Sequence, residues 1–135
     1  MLDPITATGV LSSLANLGDA ATGIVSKMYW YFEAVKNAPK LSQEFRQEMV
    51  ALCNLIDSLR ALVTQPQSRA LMSLEDSVSE LQEMLNKVNE RVAMSKTTGF
   101  KQLTWPFSKD ENAYWISRIG RYKATFSLAL NIQNA

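Results

Sequence analysis

Four prolines, Pro4, Pro39, Pro66 and Pro106, punctuate the 135 residues and leave four stretches with no internal proline. Proline lacks an amide hydrogen and clashes with the preceding helical turn, so helices start or stop at such positions. Each stretch carries a helical period. In the first, Val10, Leu14, Leu17, Ala21, Ile24, Met28, Tyr31 and Val35 advance by alternating steps of four and three. That spacing lines one face of a helix, predicted from about Pro4 to Asn37. Asp3 can cap it, and Pro4 falls at the first helical position, where a missing N–H does no harm.

The pattern recurs at Phe45, Met49, Leu52, Ile56, Leu59 and Val63, and again at Leu71, Leu74, Val78, Leu81, Leu85, Val88 and Val92. The last stretch opens with Ser108-Lys109-Asp110-Glu111, an S-x-x-E capping box, and places Trp115, Ile119, Tyr122, Phe126 and Leu130 on one side. Narrow apolar stripes of this kind suit an all-α, up-down antiparallel four-helix bundle with a long first helix. A short turn around Thr64 to Ser68 would make the second and third helices hairpin neighbours. Between the third and fourth lies Ser95 to Phe107, whose Phe100, Trp105 and Phe107 predict a loop packed onto the bundle. No β-alternation, repeat or low-complexity tract competes, so residues 1–135 read as one domain. A last helix without a capping glycine further suggests truncation from a longer protein.

The chemistry is restricted. With no histidine in the chain, the usual general base and the His-based triads and zinc motifs are excluded. Asp76, Glu80 and Glu83 share a helix face, but without an EF-hand loop they read as a solvated surface. Cys53, the single cysteine, reads as a small core-edge residue and agrees with a reducing compartment. No glycine loop suited to a phosphate is present, and no secretory signal opens the chain. A cytoplasmic protein without catalytic, metal or cofactor site is expected.

The first helix is the most informative. From Pro4 to Ser26, 23 residues, the only charge is Asp19. At 1.5 Å per residue this stretch is about 34 Å long, close to the thickness of a bilayer's hydrocarbon core. Thr6, Thr8, Ser12, Ser13 and Asn16 nevertheless make it too polar for a constitutive span. Gly9, Gly18 and Gly23 weaken it by about 1 kcal/mol each. They serve either close packing or a helix that can leave the bundle and re-associate in lipid. Next come Tyr29, Trp30, Tyr31 and Phe32, four consecutive aromatics that cannot all face one core. They either pack on the core and the long loop or mark the interfacial end of an inserting helix.

Charge is uneven although the net is only +1. Residues 1–39 carry two basic and three acidic groups, residues 40–90 five and eight, and residues 91–135 seven and two. The basic last third includes Lys96, Lys101, Lys109, Arg118, Arg121 and Lys123. It can be a solvated face, or an attraction for anionic lipid. Nucleic acid is not expected, because no recognised binding motif accompanies the charge.

Asp3-Pro4-Ile5-Thr6-Ala7 at the amino terminus, Leu103-Thr104-Trp105-Pro106-Phe107, and then Glu111, Ile119, Arg121, Lys123 and Leu128-Ala129-Leu130 together carry a resemblance. The chain resembles the HeLo-like amino-terminal domains of fungal STAND (NOD-like) receptors and related fungal cell-death proteins. More distantly it is similar to the four-helix bundle of the necroptosis-executing pseudokinase. The likeness spans the whole chain and is most specific at its two ends. It implies a domain that oligomerises when a receptor or amyloid signal clusters it, moves from cytoplasm to plasma membrane and permeabilises it through the first helix. The membrane-targeting positions so implied are Pro4, Ile5, Gly9, Val10, Leu11, Leu14, Leu17, Gly18, Ile24 and Trp30. The implied partners are further copies of the chain, anionic lipids and an upstream receptor or amyloid partner. The alternative is an adaptor bundle that binds protein and never touches lipid.

Overall fold

The computed structural model describes residues 4–34, 40–62, 74–97 and 105–134, with side chains for 12–33, 40–61, 74, 76–92 and 105–132. Over these residues it is a four-helix bundle: α1 Pro4–Ala34, α2 Lys40–Leu62, α3 Glu75–Thr97 and α4 Lys109–Asn134. The stripes are the core. Leu14, Leu17, Ala21, Ile24 and Met28 of α1 are fully buried against Phe45, Met49, Leu52, Ile56 and Leu59 of α2 and Leu81, Leu85 and Val88 of α3, with Ile119 and Phe126 of α4. Each large side chain so placed contributes about 1.5–3 kcal/mol relative to exposure. Met84 and Ala129 join this core without having been marked by their stripes. Trp115 and Leu130 are only partly covered at its edge. Asp3, Val35, Val63, Leu71 and Phe100 lie outside the described residues.

Helix directions follow from who meets whom. Gly18, midway along α1, lies beside Arg60 at the end of α2, while Tyr29 and Phe32, late in α1, flank Arg46 near the start of α2. These two helices are antiparallel. Arg91 late in α3 reaches Glu111 early in α4, and Ser77 and Glu80 sit opposite Arg121 and Thr125, so this pair is antiparallel too. Lys27 Nζ donates to Asn89 Oδ1 at 2.6 Å, joining late positions of α1 and α3. The chain therefore runs up, down, up, down.

The neighbours differ from expectation. The most extensive packing is α2 on α4, then α1 on α3 and α1 on α2, whereas α3 touches α4 only slightly. α2 and α3 are thus not hairpin partners; they stand across the bundle from one another. An apolar stripe specifies which face is buried and says nothing of which helix covers it. The twelve residues between Leu62 and Glu75 can reach about 40 Å. That is ample for the diagonal of roughly 14 Å between helices packed 8–10 Å apart.

The two described glycines of α1 with defined surroundings differ in kind. A Cβ on Gly18 would lie 2.5 Å from Arg60 Nη1 and 3.2 Å from its Cδ, so the missing side chain is the seat of Arg60. Around Gly23 nothing lies within 4 Å of such a Cβ. Close packing explains the first and leaves the second a plain weakness in the helix. Gly23→Ala is expected to raise the unfolding free energy by about 0.5–1 kcal/mol. Gly18→Ala should gain less, because Arg60 must be displaced. Urea denaturation of the two variants measures the difference.

Candidate functional site

At the end of the bundle where α1 and α3 finish and α2 and α4 begin, the segment before α4 folds its rings inward. Trp105 packs against Tyr31 and Phe32 of α1 at centroid distances of 5.2 and 6.0 Å, and edge-on to Phe45 of α2 at 5.8 Å. Phe107 stacks on Phe45 at 5.1 Å. Such pairs add about 0.5–1.5 kcal/mol each beyond the area they bury. The polar edges are satisfied as well. Trp105 Nε1 donates to Asn112 Oδ1 at 3.0 Å, and Asn112 Nδ2 donates to the carbonyls of Phe107 and Ser108 at 3.3 and 2.9 Å. Asn112 is thus buried without an unpaired group, a role that nothing in its sequence position announces.

The capping box forms as its spacing predicts. The Ser108 amide donates to Glu111 Oε1 at 3.0 Å, and the Glu111 amide donates to Ser108 Oγ at 3.2 Å. Glu111 also accepts from Arg91 of α3, at 2.6 Å to Nη1 and 3.2 Å to Nη2. Arg91 Nη2 donates in addition to the Pro106 carbonyl, and its guanidinium lies 5.2 Å from the Phe107 ring centroid. One arginine therefore holds the aromatic plug, the cap of α4 and the end of α3 together. The Arg91 hydrogen bond, followed by the backbone bond from Ser108, holds the Glu111 carboxyl at about 2 instead of its ordinary 4.5.

The aromatic run of α1 divides by direction. Tyr31 is buried and Phe32 packs on the core, whereas Tyr29 and Trp30 are 54% and 45% exposed. Arg46 sits over the Tyr29 and Phe32 rings at 5.7 and 5.3 Å. Away from the core, α1 shows solvent Ser12, Asn16, Asp19, Thr22 and Ser26. Over its described side chains α1 is covered on one side only. Of the positions implied for membrane targeting, Leu14, Leu17, Gly18 and Ile24 are buried in the bundle, and Trp30 is at the surface. Pro4, Ile5, Gly9, Val10 and Leu11 are helical, and their side chains lie outside the described residues. Among the described residues, no helix is long and apolar enough to cross a membrane.

Among the described residues, the basic groups do not form one patch. Lys123 Nζ is 2.7 Å from Glu48 Oε2 and ties α4 to α2. Lys109 is exposed at the start of α4, Lys96 is helical with its side chain outside the described residues, and Lys101 lies outside them altogether. Arg118 and Arg121 come together on a cleft between α3 and α4, with Ser77, Glu80, Tyr122 and Thr125. Hydrogen bonds to Tyr122 and then Tyr114 raise the Arg118 pKa against the opposing effect of burial. Asp76, Glu80 and Glu83 are exposed, and no three potential metal ligands cluster among the described residues. Cys53 is half-buried at the core edge, its Sγ 3.4 Å from Thr22 Oγ1.

A depressed carboxyl stabilises the fold above its unfolded pKa and loses that contribution as pH falls through the folded one. Between about pH 4.5 and 2 the native chain should therefore lose stability faster than Glu111→Gln, and the two curves should converge at the acid end. Chemical denaturation across that range, with tryptophan fluorescence as the probe, measures it. Compared with known proteins, the chain matches no family model, no curated protein and no solved structure.

Proposed function

We propose that this bundle is a non-enzymatic effector that, when copies are clustered, releases α1 onto an anionic membrane and permeabilises it. The observation that carries the reading is the character of α1. It holds one charge in its first 23 residues, is covered on one side only over its described side chains, contains a glycine with no packing role, and ends beside exposed Tyr29 and Trp30. Tyrosine and tryptophan are the side chains best suited to the headgroup region. Because α1 is too polar to span, it lies along the interface with its apolar face in the acyl boundary.

Energetics explain why clustering is needed. Exposing Leu14, Leu17, Ile24 and Met28 costs about 6–12 kcal/mol at 1.5–3 per side chain, so a lone chain keeps α1 folded in. Lipid re-buries those same side chains and offsets much of that cost. Linked copies then multiply weak surface contacts through effective concentration.

An adaptor function is the second reading. Exposed Tyr29 and Trp30 with Arg46 between the helices have the composition of a protein-binding hot spot. One experiment separates the two. Chain 1–135 fused to an inducible dimeriser should release dye from anionic liposomes upon clustering, and a chain lacking residues 1–20 should release several-fold less. Inertness of both when clustered, with saturable protein binding instead, favours the adaptor.

A further inference from the structure

α3 and α4 touch only slightly, and between them lies a cleft of about 120 Å³ lined by Ser77 and Glu80 on one side and Arg118, Arg121, Tyr122 and Thr125 on the other. One ordered water needs only roughly 10–15 Å³, so there is room for a polyatomic group with its own waters. Arg118 is pre-set. Its Nη1 and Nη2 each donate at 3.1 Å to the phenolic oxygens of Tyr114 and Tyr122, one helical turn away on either side, and its guanidinium lies 5.6 and 5.9 Å from their ring centroids. Both partners are neutral, so its charge is held in place without being cancelled. Its Nε hydrogen, shielded from solvent, donates to no acceptor. Arg121 is exposed beside it, and among the described residues neither arginine is within ion-pair distance of a carboxylate. This contrasts with Arg91 and Lys123, which pair at 2.6 and 2.7 Å.

We propose that the α3–α4 cleft is a binding site for a phosphate group, with Arg118 and Arg121 as its charged donors. Guanidinium forks match phosphate oxygens in geometry as well as charge. The hydroxyls of Ser77 and Thr125 complete the donor set from both walls. Glu80, the carboxylate on the α3 wall, limits the negative charge the cleft accepts. The inference rests on the membrane reading only for a lipid as the source of the phosphate; the cleft itself is tested without any membrane.

The ¹⁵N-labelled chain is titrated with inorganic phosphate at constant ionic strength, with chloride as the control. Saturable shifts confined to the amides around Ser77, Glu80, Arg118, Arg121 and Thr125 are expected. Arg121→Gln should weaken binding by at least about fivefold and Glu80→Gln should tighten it by about two- to fivefold, as loss of one favourable and one unfavourable charge requires. Arg121 is exposed, so its replacement leaves the fold intact; Arg118→Lys, which keeps charge and loses the fork, serves as the second variant and should also weaken binding. Vesicles carrying phosphatidic acid, a bare phosphate monoester, are then compared with phosphatidylserine at equal surface charge. Preference for phosphatidic acid, competed by free phosphate and lost in Arg121→Gln, identifies a lipid source. Phosphate binding without vesicle binding identifies a soluble one. Shifts that fail to saturate, spread over all basic residues, or persist unchanged in Arg121→Gln overturn the proposal, and they do so whether or not the clustered chain permeabilises liposomes.

Discussion

The Arg91 knot governs how this bundle closes. α3 and α4 share little contact along their length, and Arg91 is where they are joined, through Glu111 and the Pro106 carbonyl. The pair is partly exposed, with side-chain accessibilities of 43% and 37%, so its Coulombic contribution is small. Its importance is positional. By fixing the start of α4 it sets Trp105 and Phe107 against Tyr31, Phe32 and Phe45, and the last turns of α1 and first turns of α2 are thereby held by one aromatic cluster.

That arrangement makes α1 unequal along its length. Its carboxy-terminal part is fixed by rings from the loop before α4 and by the Lys27–Asn89 bond. Its middle is held by stripe packing, against an outer face of small polar residues and an unsupported Gly23. In the proposed membrane step α1 opens from its beginning and pivots about Tyr31, with the exposed Tyr29 and Trp30 at the pivot. The proposed membrane step uses that asymmetry: the amino-terminal turns leave first, while the aromatic end stays tied to the bundle that orients it.

Periodicity made the helices and their buried faces legible, because a stripe such as Phe45, Met49, Leu52, Ile56 and Leu59 has one way to leave water. The capping box at Ser108 and Glu111 was legible for the same local reason, as was the inward turn of Trp105 and Phe107. Spatial order was not. An apolar stripe fits either neighbour equally well, and the length of the α2–α3 connection allows α2 to pack beside α4 instead of α3. Arg91 stood among seven basic residues of the last third with nothing to single it out, and Asn112 acquires its role only once Trp105 is in place. The glycines of α1 look alike in sequence, yet Arg60 fills the space beside Gly18 and nothing fills that beside Gly23. The basic third proved to be separate groups, because Lys123 turns to Glu48 while Arg118 and Arg121 turn to a cleft.

The departure of α1 from α2 can be tested with a single covalent bond. Thr22 Oγ1 lies 3.4 Å from the Sγ of Cys53, the chain's only cysteine, so Thr22→Cys places two thiols within a small shift of disulfide geometry and allows α1 to be locked to α2 and freed again by a reductant. Dye release from anionic liposomes by this variant, clustered through a fused dimeriser, should be abolished by oxidation and restored by reduction. Equal release in the locked and free states, or none in either, contradicts the claim that α1 must leave the bundle to act.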